Sequence, residues 1–256
     1  SGDDSSAAAS VDGVGSQFTN TTYLHVGGEG TGELAITNGG IASSADGSIG
    51  EEAGSSGTVT VEGAGSNWTA TGDLAVGNSG AGVLTIANGG QVTVGASTWV
   101  ARESGSTGTI DFDGGVLTTE TLFSDLADLT GTGTINTGGL VHDGQVVLDA
   151  SYEAPDSFVL DASGQNITVN MPSDGTGILG AGFNGNGSLS ISGGATVRGS
   201  EGYLGYNLGA TGTAMVNGSG STWATTGDLH VGWFGVGEMF IWSGGLVSVD
   251  GQLILG

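Results

Sequence analysis

Gly57-Thr-Val-Thr-Val-Glu-Gly-Ala-Gly-Ser-Asn-Trp68, then Thr71-Gly-Asp-Leu-Ala-Val-Gly77, then Gly82-Val-Leu-Thr-Ile-Ala-Asn-Gly-Gly90-Gln-Val-Thr-Val94, is the stretch whose reading decides the fold. Val59/Val61, Leu74/Val76, Leu84/Ile86 and Val92/Val94 alternate with polar residues, the period of a strand with one buried face. Glycine clusters separate these short runs, and no run carries a helical period. The same order recurs from Gly212 to Val249, with Trp223, Leu229, Val231, Met239 and Ile241, and from Ser10 to Gly40, with Phe18, Leu24, Val26, Leu34 and Ile36. Gly-Gly pairs at Gly39, Gly89, Gly138, Gly193 and Gly244 mark the repeat at intervals of 50, 49, 55 and 51 residues.

A half-length echo divides that period. Asn88-Gly89-Gly90-Gln91-Val92 is answered 25 residues later by Asp113-Gly114-Gly115-Val116-Leu117. Three short strands and three turns use about 25 residues, so the expectation is an all-β, single-stranded parallel β-solenoid (β-helix) of about ten coils without caps. Stacking then places like side chains above like. Phe18, Trp68, Trp223, Leu74, Val76, Leu229 and Val231 are read as core packing residues, because an aromatic that recurs in each repeat is a packing anchor. Residues 122–178 depart from the pattern, which predicts solenoid repeats over 1–121, irregular coils with a longer loop near Tyr152 to Pro155 over 122–178, and further repeats over 179–256. That loop is the expected place for a decorated surface.

Composition narrows the partners. The chain of 256 residues holds 26 acidic side chains against Arg102 and Arg198, for a formal net charge of −24. Phosphate binding needs clustered cations, so nucleic acid is not an expected partner, and neither is an anionic membrane surface. No apolar run approaches the roughly 18 residues of a membrane span, so no direct membrane insertion is expected. Cysteine is absent, which removes disulfides, thiolate metal sites and cysteine nucleophiles.

Gly202-Tyr-Leu-Gly-Tyr-Asn207, Gly212-Thr-Ala-Met-Val-Asn-Gly-Ser-Gly-Ser-Thr-Trp223 and Thr226-Gly-Asp-Leu-His-Val-Gly232 resemble the bacterial repeat shared by some autotransporter passengers and PEP-CTERM surface proteins. Asp128-Leu-Thr-Gly-Thr-Gly-Thr-Ile135 and Gly164-Gln-Asn-Ile-Thr-Val169 look like the linking segments of that family. The resemblance implies an exported β-solenoid, extracellular or at the cell surface, and brings no catalytic residues with it.

Candidate chemistry is sparse. His25 and His230 share one repeat position with Ala75 in Leu-x-Val-Gly, which marks a strand face, and His142 has no ligand-spaced partner. Asp111 and Asp113, two apart on one strand, are the paired carboxylates a polysaccharide lyase or glycosidase would need, but only two arginines are present to hold an anionic sugar. No enzyme is expected. Asp3, Asp4, Glu51, Glu52 and Glu103 fall in comparable turns and are candidate calcium ligands; no other cofactor is expected. The Gly27-Gly-Glu-Gly-Thr-Gly32 run lacks the aspartate of a calcium roll.

Counting on from Gly244 through Gly256 into Ser1 and to Gly39 gives 51 residues, one more repeat without a gap. Gly251-Gln-Leu-Ile-Leu-Gly256 is still strand-like, and Gly2 to Ser10 is half a coil. The expectation is therefore a structural subunit that stacks head to tail with itself through Ser1, Gly2, Asp3, Gln252, Leu253, Ile254, Leu255 and Gly256. The alternative is a fragment of a surface adhesin or autotransporter passenger that binds a glycan or another surface protein near Tyr152 to Asp156.

Overall fold

The computed structural model of the chain describes residues 5–152 and 156–256. It is an all-β, parallel solenoid of about ten coils, with a single 3-10 turn at Leu126–Asp128 and no α-helix among the described residues. Two compact units are distinguished. The first takes residues up to Glu120 together with Asp128–Asn136 and Leu160–Thr168, and the second Thr121–Ala127, Thr137–Val159 and Val169–Gly256.

In the first unit the long strands Ser6–Asp12, Thr31–Thr37, Ser56–Glu62 and Ala81–Ala87 pair side by side, each shifted by 25 residues from the last. Their inward positions line up in columns: Ala9, Leu34, Val59, Leu84 and Val11, Ile36, Val61, Ile86. The second unit repeats this with Asn186–Ile191, Thr211–Asn217 and Val236–Trp242. The coils are short because each corner is a tight reversal. Asn38 and Gly39, Asn88 and Gly89, and Ser243 and Gly244 are consecutive residues with positive φ, the two-residue turn that Asn-Gly forms most readily.

The long strands Thr31–Thr37, Ser56–Glu62, Ala81–Ala87, Asn186–Ile191, Thr211–Asn217 and Val236–Trp242 have glycine in the second position, and the reason is steric. Gly57 lies on the corner hydrogen bond from Gly50 N–H to the Val26 carbonyl, where a Cβ would come within 2.1 Å of the oxygen. Gly212 lies on the bond from Gly205 N–H to the Ala181 carbonyl, at 2.0 Å. Ser6–Asp12, which pairs with Thr31–Thr37, has Ala7 at that position.

The interior also explains why the sequence repeats every two coils. Phe18, Ala42, Trp68, Val92 and Leu117 form one column, so large and small residues alternate. Beside it runs Leu24, Gly47, Leu74. The indole of Trp68 reaches into the space that Gly47 leaves in the preceding coil, and a Cβ on Gly47 would lie 2.6 Å from its Cζ2. In the second unit Val197, Trp223 and Val247 alternate in the same way, and Trp223 Cζ2 lies 2.9 Å from the Cβ position of Gly202. An aromatic coil and a small-residue coil are therefore one packing unit.

Candidate assembly surfaces

The residues read as core occupy the positions their columns dictate, except one. Trp68, Trp223, Leu74, Val76 and Leu229 are fully buried and Val231 nearly so. Phe18 is 39% exposed, a correction to its expected burial. It belongs to the first coil, so Ala42 covers one side while the other side is open among the described residues. Around it the first coil ends in a hollow of about 370 Å³ lined by Ala7, Ala9, Phe18, Leu24, Val26 and Leu34.

The last coil of the second unit is the matching edge. Ile241 is 48% exposed although Val216, its column neighbour in the coil before, is fully buried. Leu253 and Leu255 are 55% and 70% exposed, although Leu229 and Val231 beneath them are covered. Phe240, Trp242 and Leu246 extend the apolar edge, and Trp233 and Phe234 stand at its corner with ring centroids 5.1 Å apart. Of the expected assembly residues, Leu253, Ile254, Leu255, Gln252 and Gly256 lie on this edge, whereas Ser1, Gly2 and Asp3 lie outside the described residues. Val236–Trp242, Ser6–Asp12 and Phe18 were missed as edge residues. Val236–Trp242 carried a signal, Met239-Phe240-Ile241-Trp242, four large apolar residues in a row.

The candidate calcium ligands do not converge. Corner hydrogen bonding places Glu51, Asn78 and Arg102 in one column and Glu52, Ser79 and Glu103 in the next, so a neutral or basic residue interrupts the acids within one coil. Glu51 accepts from Ser48 Oγ and lies 3.7 Å from His25 Nδ1. No group of three acidic or histidine side chains is poised for a metal among the described residues, and Asp3 and Asp4 fall outside them.

Asp111 and Asp113 do not form an acid pair on one regular strand. The register skips Asp113, which bulges out between Phe112 and Gly114, while Asp111 Oδ1 accepts from Thr130 Oγ1 at 2.9 Å. The histidines occupy strand positions: His230 is buried and stacks on Tyr203 at 4.8 Å, and His25 stacks on Tyr23 at 5.6 Å. His142 is fully buried, and desolvation lowers its pKa to about 4. Its neighbour Asp143 caps a corner, accepting from the N–H groups of Phe183, Asn184 and Gly185, and burial raises its pKa.

Tyr152, expected in a ligand-facing loop, points inward. It is buried, its hydroxyl donates to the Met171 carbonyl at 2.5 Å, and burial raises its pKa. It is an anchor for the loop, whose residues 153–155 lie outside those described. No family model, curated protein or solved structure matches the chain.

Proposed function

We propose that the protein is a structural subunit of an extracellular fibre, built by stacking the last coil of one copy on the first coil of the next. One observation carries this: among the described residues the open faces of the first and last coils would continue the interior columns in register. Val236–Trp242 and Ser6–Asp12 are both seven-residue strands, like the internal pair Thr211–Asn217 and Val236–Trp242. Laid in parallel with Val236 beside Ser6 and Trp242 beside Asp12, they bring Met239 over Ala9 and Ile241 over Val11. The last coil carries Val247 in the aromatic column and so is a small-residue coil; the first carries Phe18 and is an aromatic coil. Their order continues the alternation.

Backbone pairing favours the contact. An uncovered coil leaves a row of backbone N–H and C=O groups without ladder partners over an apolar interior, which strand addition satisfies. The contact joins unlike faces, so it propagates into a filament. The resemblance to surface-protein repeats is consistent with an exported fibre, where a strongly acidic side surface limits lateral clumping.

With no native cysteine, the register is testable by cross-linking. Phe240→Cys with Ser10→Cys places two outward side chains directly opposite, within the roughly 4.4–6.8 Å Cα separation a disulfide requires. Oxidation is expected to give a ladder of covalent multimers, and unbranched fibres by electron microscopy. The offset pair Phe240→Cys with Ala8→Cys is expected to remain largely monomeric. Equal ladders from both pairs, or none from either, refute the proposal.

A further inference from the structure

We propose that a corner of the second unit, built from Tyr203, Tyr206, Trp233 and Glu201, receives an arginine side chain of a partner protein; this goes beyond the stacking function and does not rest on it. The strands Leu74–Val76, Ser97–Val100, Gly202–Leu204 and Leu229–Val231 each carry an outward residue three positions before a corner residue. In the first unit these pairs are Ala75 with Asn78 and Trp99 with Arg102, preceded by Ser48 with Glu51 in the coil before. In the second unit they are Tyr203 with Tyr206 and His230 with Trp233. The corner closes through the N–H of Gly50, Gly77 or Ala101 whether glutamate, asparagine or arginine follows, so its folding does not call for an aromatic ring. The Trp99 pair shows what this position can hold: the Arg102 guanidinium carbon lies over the Trp99 ring, 4.9 Å from its centroid.

In the second unit the rings are present and the guanidinium is not supplied by the chain. Tyr203 and Tyr206 meet at 5.2 Å and 74°, and His230 stacks on Tyr203 at 4.8 Å and meets Trp233 at 4.3 Å. Gly180, before Tyr203 in the same column, brings no side chain against the other face of that ring. Tyr203 and Tyr206 stay partly exposed although Leu179–Ala181 and Leu229–Val231 flank their coil, so this opening is a property of the side of the coil. An aromatic patch with a polar rim marks an interaction site. Charge selects the occupant. The Tyr203 hydroxyl donates to Glu201 Oε2 at 2.7 Å, and a carboxylate accepts further donors, so Glu201 can take a guanidinium N–H as well. Asp228 adds negative potential at the same ring. A guanidinium stacks flat on an aromatic face while donating to a carboxylate at its edge, which an ammonium cannot do, and the chain, with net charge −24 and two arginines, repels anionic ligands.

Fluorescence-anisotropy titration with a labelled Gly-Arg-Gly-Arg-Gly peptide tests this, beside the same peptide with lysine or neutral citrulline in place of arginine, in about 0.15 M salt to screen the general acidic field. The arginine peptide is expected to bind at least about fivefold tighter than the lysine peptide, and the citrulline peptide not to bind. Glu201→Gln and Trp233→Leu are each expected to weaken binding about threefold to tenfold. Glu51→Gln/Glu52→Gln, on the equivalent acidic corner of the first unit, is expected to leave it unchanged. Circular dichroism establishes that each variant folds, and Tyr203→Phe, which keeps the ring and removes only the hydroxyl, is the milder variant expected to shift affinity in the same direction. Equal binding of the arginine and lysine peptides, or binding indifferent to Glu201→Gln and Trp233→Leu, is diffuse attraction and overturns the site. So does no binding at all, or capture of a neutral glucose hexasaccharide in the peptide's place. Glu201→Gln is expected to form fibres as the parent does, so failure of the site and failure of stacking are read separately.

Discussion

Gly212→Ala isolates the steric demand on which the coil depends. Gly212 has an ordinary strand backbone, so alanine is acceptable to its dihedral angles and the cost lies in the space alone. The new methyl would sit 2.0 Å from the Ala181 oxygen and 2.4 Å from Gly205 N, the two ends of a 3.0 Å corner hydrogen bond. Relief requires the strand to lift or the corner to open. Overpacking costs about 1–3 kcal/mol and loss of the corner bond about 1 kcal/mol more, so destabilisation on the order of 3 kcal/mol is expected. Gly13→Ala is the control: φ is +90° there and nothing lies within 4 Å of the Cβ position, so only left-handed backbone strain of about 1–2 kcal/mol applies. Urea denaturation gives both values, and amide exchange at Gly205 locates the damage. A Gly212→Ala cost below about 1 kcal/mol, or below that of Gly13→Ala, would refute the close-approach account.

The internal knob and its space are tested within one chain: Gly47→Leu should cost more than 3 kcal/mol by driving into Trp68, and adding Trp68→Phe should recover at least half of it in thermal or urea unfolding. Trp223→Ala should cost about 3–5 kcal/mol by the same measurements, because a fully buried indole leaves a cavity. His142 stays neutral when folded down to about pH 4, so between the unfolded value of 6.5 and that point protons bind the unfolded chain preferentially and stability falls as pH falls. His142→Phe is expected to lose about 2 kcal/mol less than the parent between pH 7 and pH 5, and an identical pH profile would contradict the assignment. Buried Asp143 acts in the opposite sense, since its raised pKa lets the folded state take up a proton first on acidification. Ala7→Gly is expected to tighten association several-fold, read by sedimentation, whereas Ala9→Gly on the same inward face is not.

The strands and their spacing were legible because the signals are local. Alternation at Val59/Val61 or Leu84/Ile86 and the Asn-Gly turns act within a few residues, and the 25-residue displacement from Gln91-Val92 to Val116-Leu117 is the observed inter-coil register. The two-coil packing unit was not legible as such. Trp68 and Gly47 are 21 residues apart in the chain and meet only when one coil lies on another, so their coupling looks like two unrelated columns. Phe18 was misjudged for the same reason: equivalence with Trp68 identifies the column but not whether a coil lies on each side. Tyr152 failed differently, since a loop among acidic residues predicts exposure, while its ring and hydroxyl are taken up by the backbone of Met171.

Ala7 bears on how strong a junction between copies can be relative to the contact between neighbouring coils of one chain. No glycine among the described residues lies on the corner bond from Gly256 N–H to the Val231 carbonyl, 3.0 Å long. In a stacked copy the residue arriving there is Ala7. Its methyl meets the same geometry that places a Cβ 2.0–2.4 Å from the equivalent atoms at Gly212. In the proposed stack Ala7 holds this corner open, so the junction gives up part of its strength. Internal coils, with glycine at that position, close fully. A fibre built this way breaks between subunits before any coil within a subunit separates, and it grows and shortens by whole copies. Ala7→Gly would erase that distinction, leaving the junction as strong as the contacts on either side of it.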